Sequence, residues 1–212
     1  YRITIPEEMP ENHIRFSEIV KERYGLKIRK LSRRQIRKED YGRKLFKLIN
    51  ETYCVLYGYS LLSDKQIDQY VDLYLSLVDT DMLTFVEDKE GELIAAGISI
   101  PSLSEALQKC NGEIFPFGWW HLAKALFFKR SKRVDLLLVA VKPEYQSKGV
   151  FAVVFNRLQS AFIDIGFVDA ESNPELEENE KVRSQWDNFE KEQHKRRRSY
   201  IKKLNREDTN ND

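Results

Sequence analysis

Residues 134–167 read VDLLLVAVKPEYQSKGVFAVVFNRLQSAFIDIGF. Val134 to Val141 is a nearly unbroken run rich in valine and leucine, which predicts a strand buried on both faces. Lys142 to Lys148 is polar and turn-prone, and Pro143 ends the strand by removing a ladder donor. From Gly149 the period changes. Val150, Val154, Leu158, Ala161, Phe162 and Ile165 recur at helical spacing, with Arg157, Gln159, Ser160 and Asp164 on the other face. Gly166 closes the helix and Phe167 starts a new apolar run.

A strand, a short loop with glycine at the helix start, and a helix form an arrangement that holds an anionic phosphate. Unpaired N–H groups and the helix dipole point at the same spot, and Lys148 adds a positive charge. The loop PEYQSKGV also resembles the acyl-CoA-binding motif of the GNAT superfamily of N-acetyltransferases, whose pattern is Q/R-x-x-G-x-G/A. Here the positions are Gln146, Ser147, Lys148, Gly149, Val150 and Phe151. Phe151 stands where the pattern has a small residue, and Ala152 follows directly.

The whole chain sets bounds on this reading. Its 212 residues suit one large domain, or one domain with extensions, and are ample for a core. With 35 basic and 34 acidic residues the formal charge is +1, so no global field draws it to nucleic acid or membrane. Cys54 and Cys110 are too few for a disulfide framework and lack metal-ligand spacing. His13, His121 and His194 lie far apart with no partner in register, so no metal site is expected. No stretch reaches the roughly 20 apolar residues of a membrane span, and no signal peptide is visible. A cytoplasmic protein is the expectation. The sequence begins at Tyr1, not Met, which fits the C-terminal part of something longer, with an upstream region.

Taken in order, residues 1–25 read as a lead-in with a short helix around Phe16 to Tyr24. Leu26 to Leu31 alternates and predicts a half-buried strand. Ser32 could cap a basic helix, Tyr41 to Tyr53 is a stronger helix, and Ser63 caps another through Val78. Met82 to Glu87 and Leu93 to Ile100 read as a hairpin. Residues 102–133 form an aromatic insertion. It reads as a helical excursion packed on the sheet, as a wall over an acceptor pocket, or as a membrane-surface helix with a basic flank. Phe167 to Glu171 is a strand, a helix runs from Glu175 to about Glu190, and a last strand centres on Ser199 to Leu204. Residues 205–212 read as a disordered tail.

This order is the mixed α/β fold that the resemblance implies over residues 26–204. The stretches Pro116-Phe117-Gly118 and Leu176-Glu177-Glu178-Asn179 resemble an uncharacterised bacterial branch of the superfamily. The resemblance implies acetyl-CoA or another acyl-CoA as co-substrate and an amine as acceptor, with an apolar or bulky acceptor suggested by the aromatics. Leu138, Val139, Ala140 and Val141 would hold the pantetheine arm through their backbone, in a gap beside the following strand. An N–H near Val139 would hold the reacting carbonyl oxygen. The pyrophosphate would sit on Gln146, Ser147, Lys148, Gly149, Val150, Phe151 and Ala152, with Gly149 leaving room for it. Relatives place an acidic tyrosine seven positions after a helix-start Asn, which from Asn179 reaches Trp186, and an indole cannot serve. Tyr200 and Tyr145 are the stand-ins, and Glu171 is the candidate base. A catalytically inactive acyl-CoA-binding module of the same fold is the alternative. Lys195 to Arg198 reads as a solvated edge strand, with a nucleic-acid accessory role as the competing reading.

Overall fold

The computed structural model describes residues 1–128, 131–177 and 179–202, with the side chains at 74–77, 127, 128, 180 and 181 left aside. Its strands are β1 (Arg2–Thr4), β2 (Lys27–Arg29), β3 (Leu83–Glu87), β4 (Leu93–Pro101), β5 (Arg133–Val141), β6 (Asp169–Ser172) and β7 (Lys191–Glu192). Its α-helices are α1 (Glu11–Tyr24), α2 (Arg33–Lys38), α3 (Tyr41–Tyr53), α4 (Asp64–Leu77), α5 (Ser104–Lys109), α6 (Gly118–Ala123), α7 (Val150–Ile165) and α8 (Glu180–Arg183). The strands make one sheet in the order β2-β3-β4-β5-β6-β1-β7. Every pair is antiparallel except β5 with β6.

Local chemistry sets most of these boundaries. Ser32 and Gln35 form a reciprocal capping box at α2, and Ser63 and Gln66 make the same contacts ahead of α4. Gly166, at φ 87°, ends α7 with its N–H on the carbonyls of Ile163 and Phe162. β4 is buried along nearly its whole length because α3 covers one face and α7 the other. A Cβ at Gly97 would stand 2.7 Å from Val154 and 2.8 Å from Leu158, so α7 lies almost on the β4 backbone.

Three expectations are corrected. Residues 1–25 are not a lead-in: β1 pairs with both β6 and β7, and α1 packs across α7. The helix expected from Glu175 to Glu190 shrinks to α8 and a 3-10 turn at Ser184–Asn188. The last strand is β7, held by β1, while Ser199 to Lys202 form no strand. The end of that expected strand, the tail 205–212 and Glu178 lie outside the described residues.

The aromatic insertion also differs from the packed excursion. Phe115 and Phe117 are 81% and 76% exposed, and Trp119 and Trp120 are each about half exposed. The insertion borders an open pocket of about 280 Å³ lined by Ser102, Glu105, Lys109, His121, Lys124 and Ser131, among others. Ser102 bonds to Arg133 at the start of β5. Val139 lies six residues further on, roughly 20 Å along an extended strand.

Candidate functional site

β5 and β6 part company. They pair in parallel at only four positions, Arg133 with Asp169 through Leu136 with Ser172. Beyond these, Asn173 and Pro174 turn the chain away, and residues 137–141 of β5 keep β4 alone as a strand neighbour. The register with β4 shifts between Ile98 and Ser99, which leaves Leu137 as the extra residue of a bulge.

The register also fixes which backbone groups face the gap. Lys142 donates to Ile94, so Lys142, Ala140 and Leu138 exchange bonds with β4. Val139 and Val141 alternate with them and direct N–H and C=O to the open side. Their carbonyls confirm this: Tyr53 Oη donates to Val139 O at 3.1 Å, and Gln146 Nε2 donates to Val141 O at 3.2 Å. Asn173 Nδ2 donates to Leu137 O in the same way. Of the four residues expected to act through backbone, Leu138 and Ala140 are thus committed to β4. The pleat, which a run of apolar residues does not reveal, makes that division.

The gap leads to the loop. Pro143–Lys148 is a 3-10 turn, and Gly149, at φ 77°, opens the 16-residue α7 without a side-chain cap. Gln146 and Ser147 are exposed, and Lys148 Nζ lies over the rings of Tyr145 at 4.5 Å and Tyr24 at 5.3 Å. Val150 is wholly buried, backbone included. Ala152 N–H is taken by the Gly149 carbonyl. Phe151 stacks on Phe155, one turn down the helix, at 5.8 Å and meets Trp186 edge-on at 5.4 Å. Its ring is carried away from the helix start. Gly149 is corrected in one respect: a Cβ there would meet Phe16 and Val20 of α1 at 3.0 and 3.2 Å. Helix packing and positive φ account for this glycine, and the room it was expected to leave is filled by α1.

The candidate acid–base residues are scattered. Tyr200 is 84% exposed in an irregular segment. Tyr145 Oη lies 3.5 Å from Asp88, on the β4 side of the loop. Trp186 is buried, with its N–H on Glu175 Oε1 at 2.7 Å. Glu171 sits opposite Asp135, at the paired end of β5 and β6. It contacts Lys195, His194 Nε2 at 3.5 Å and Arg133 at 3.8 Å. Burial raises its pKa, but the Lys195 hydrogen bond, with His194 and Arg133, outweighs burial and holds it below the usual value. These partners make Glu171 a counter-ion and correct its reading as a base.

A depressed carboxylate contributes stability above its ordinary pKa, and that stability is lost as pH falls through the lowered value. Glu171→Gln is therefore expected to lower Tm at neutral pH, with the difference closing on acidification. Thermal unfolding across pH measures this, and a gap that stays constant into acid contradicts it.

Two residues stand out that the sequence did not single out. Tyr53 ends α3 at the open edge, and burial chiefly pushes its pKa up to about 12. Asp135, inside the apolar run, has its pKa raised by burial against a hydrogen bond from Ser102. Elsewhere, Arg196 and Arg198 both pair with Glu177. No helix among the described residues is long and apolar enough to cross a membrane.

No family model matches the chain. Among solved structures, it is similar to an aminoglycoside acetyltransferase, meta-AAC0020, from an uncultured soil metagenomic sample, in complex with sisomicin. The TM-score is 0.52 at 11% identity, over 86% of this chain and 99% of that one. The chain has the GNAT fold. AAC(6')-Iy, in complex with a bisubstrate analog, is similar at TM-score 0.48 and 15% identity, over 84% of this chain and 99% of that chain. By sequence, Protein YghO of Escherichia coli (strain K12) is 24% identical over 159 residues, 74% of this chain. The chain spans 40% of that protein's length.

Proposed function

We propose that the chain is an acyl-CoA-dependent N-acyltransferase that moves an acetyl or longer acyl group to an amine. The observation that carries this reading is the open edge of β5, which runs straight into the uncapped start of α7. A carbonyl of an arm of amides can accept from the free N–H of Val141, in part as an added strand does. A diphosphate can lie at the exposed side of the loop, near Gln146, Ser147 and Lys148. The solved acetyltransferase bound to sisomicin agrees with a small amine acceptor.

In this reading the amine nitrogen attacks the thioester carbon, a C–N bond forms and the C–S bond breaks. Val139 N–H receives the negative charge that builds on the carbonyl oxygen. The proton released by the amine passes to solvent. The departing thiolate takes a proton from solvent, since Trp186 is committed to Glu175.

Calorimetric titration with acetyl-CoA tests the reading. Ser147→Glu changes an exposed residue and places a like charge at the diphosphate. It is expected to weaken binding about 100-fold for one like-charge pair about 6 Å apart near the surface. Absence of binding by the wild type, or equal binding by the variant, contradicts the placement. Binding without thiol release across a panel of amines leaves a non-catalytic acyl-CoA module.

A further inference from the structure

We propose that the Tyr53 hydroxyl is a second hydrogen-bond donor to the carbonyl oxygen that reacts at Val139. This rests on the acyltransferase reading. The geometry comes from the alternate capping of the β5 edge. Asn173, Tyr53 and Gln146, from three separate elements, hold the carbonyls of Leu137, Val139 and Val141. With those acceptors taken, the edge offers a ligand the N–H groups of Val139 and Val141. N–H and C=O of one extended residue point the same way. An oxygen that accepts from Val139 N–H therefore lies beside Tyr53 Oη, which sits 3.1 Å from Val139 O.

Tyr53 is also held where such a donor must be held. Its ring meets Tyr59 edge-on at 5.9 Å. Tyr59 Oη donates to Asn50 Oδ1 at 2.7 Å, and Asn50 in turn binds both the N–H and the C=O of Leu62. The end of α3 is thereby tied to the segment that leads into α4. A phenol buried in this way keeps its proton at neutral pH. It donates a hydrogen bond and transfers no proton. In the resting protein the donor is spent on the Val139 carbonyl. As charge builds on the ligand oxygen, the O–H turns from a neutral acceptor to an anionic one, which is the stronger bond. The tetrahedral intermediate is favoured over the bound thioester, so the effect falls on kcat.

The test uses Tyr53→Phe, which keeps the ring, with Tyr59→Phe as a control that removes a neighbouring hydroxyl away from β5. Acetyl-CoA carrying a ¹³C carbonyl is the probe. Calorimetry gives binding, infrared difference spectra give the carbonyl stretch, and thiol release with glucosamine, spermidine or a peptide amine gives kcat. The expected result is a carbonyl band lowered on binding to the wild type and to Tyr59→Phe, and partly restored in Tyr53→Phe. kcat falls about 100-fold in Tyr53→Phe with KM little changed. An unshifted band or an unchanged kcat in Tyr53→Phe overturns the inference while wild-type binding leaves the acyltransferase reading standing. Failure of the wild type to bind acetyl-CoA removes both.

Discussion

Val139→Pro is expected to fold and to lose roughly 100- to 1000-fold in acyl transfer, whereas Ala140→Pro is expected to lose the fold. The two sites are adjacent, and the pleat separates them. Val139 N–H faces the gap, where a proline ring meets no partner strand, the position in which sheets tolerate proline. Ala140 N–H belongs to the β4 ladder, opposite Ala96. Proline there removes a buried bond and drives its ring at β4, at a cost of about 3 kcal/mol or more. Circular dichroism and thermal unfolding decide the structural half, and thiol release decides the other. Equal stability of the two variants would mean that the edge assignment is wrong.

The second large effect concerns Gly97. Its Cα lies under α7 so closely that a Cβ would overlap Val154 and Leu158, both fully buried. Gly97→Val is expected to cost about 3 kcal/mol through overpacking. Leu158→Ala alone is expected to cost about 2–5 kcal/mol through the cavity it leaves. The combined variant should lose clearly less than the sum, because each change relieves the other. Denaturant unfolding gives all three values, and strict additivity would show that the two residues do not meet.

How much of this was legible beforehand follows from the range of the signal. The stretch 134–167 announced itself because its apolar period switches within a few residues, and β5, the loop and α7 lie where that switch places them. α3 and the capped starts of α2 and α4 carry their signals within a few residues. β1 did not. Three residues ahead of Pro6 show no period, and Ile3 is buried by β6 and β7, which arrive more than 160 residues later. Glu171 was overvalued for the same reason. Nothing adjacent to it shows that His194 and Lys195 return across β1 to neutralise it.

The site was legible as a loop and illegible as a set of side chains. Tyr53 falls on the apolar face of an amphipathic helix, where a core role is the natural reading. Its hydroxyl gains a different meaning through Val139, 86 positions away. Asp135 hides inside a run read as continuous apolar strand, although a lone carboxylate in such a run was a signal to weigh. Phe151 broke the phosphate-loop pattern. The structure shows where that ring goes, into a cluster with Phe155, Trp186 and Phe189. The same cluster buries Trp186, the residue at the expected position of the acid, so the two departures belong to one packing solution.

The open edge of β5 can be read directly by amide hydrogen exchange followed by NMR, with and without saturating acetyl-CoA. The account predicts that the Val139 and Val141 amides exchange quickly in the free protein and slow at least about tenfold on binding, while Ala140 is protected in both states. Unchanged exchange at Val139 and Val141 when acetyl-CoA is bound would place the ligand elsewhere and contradict the account.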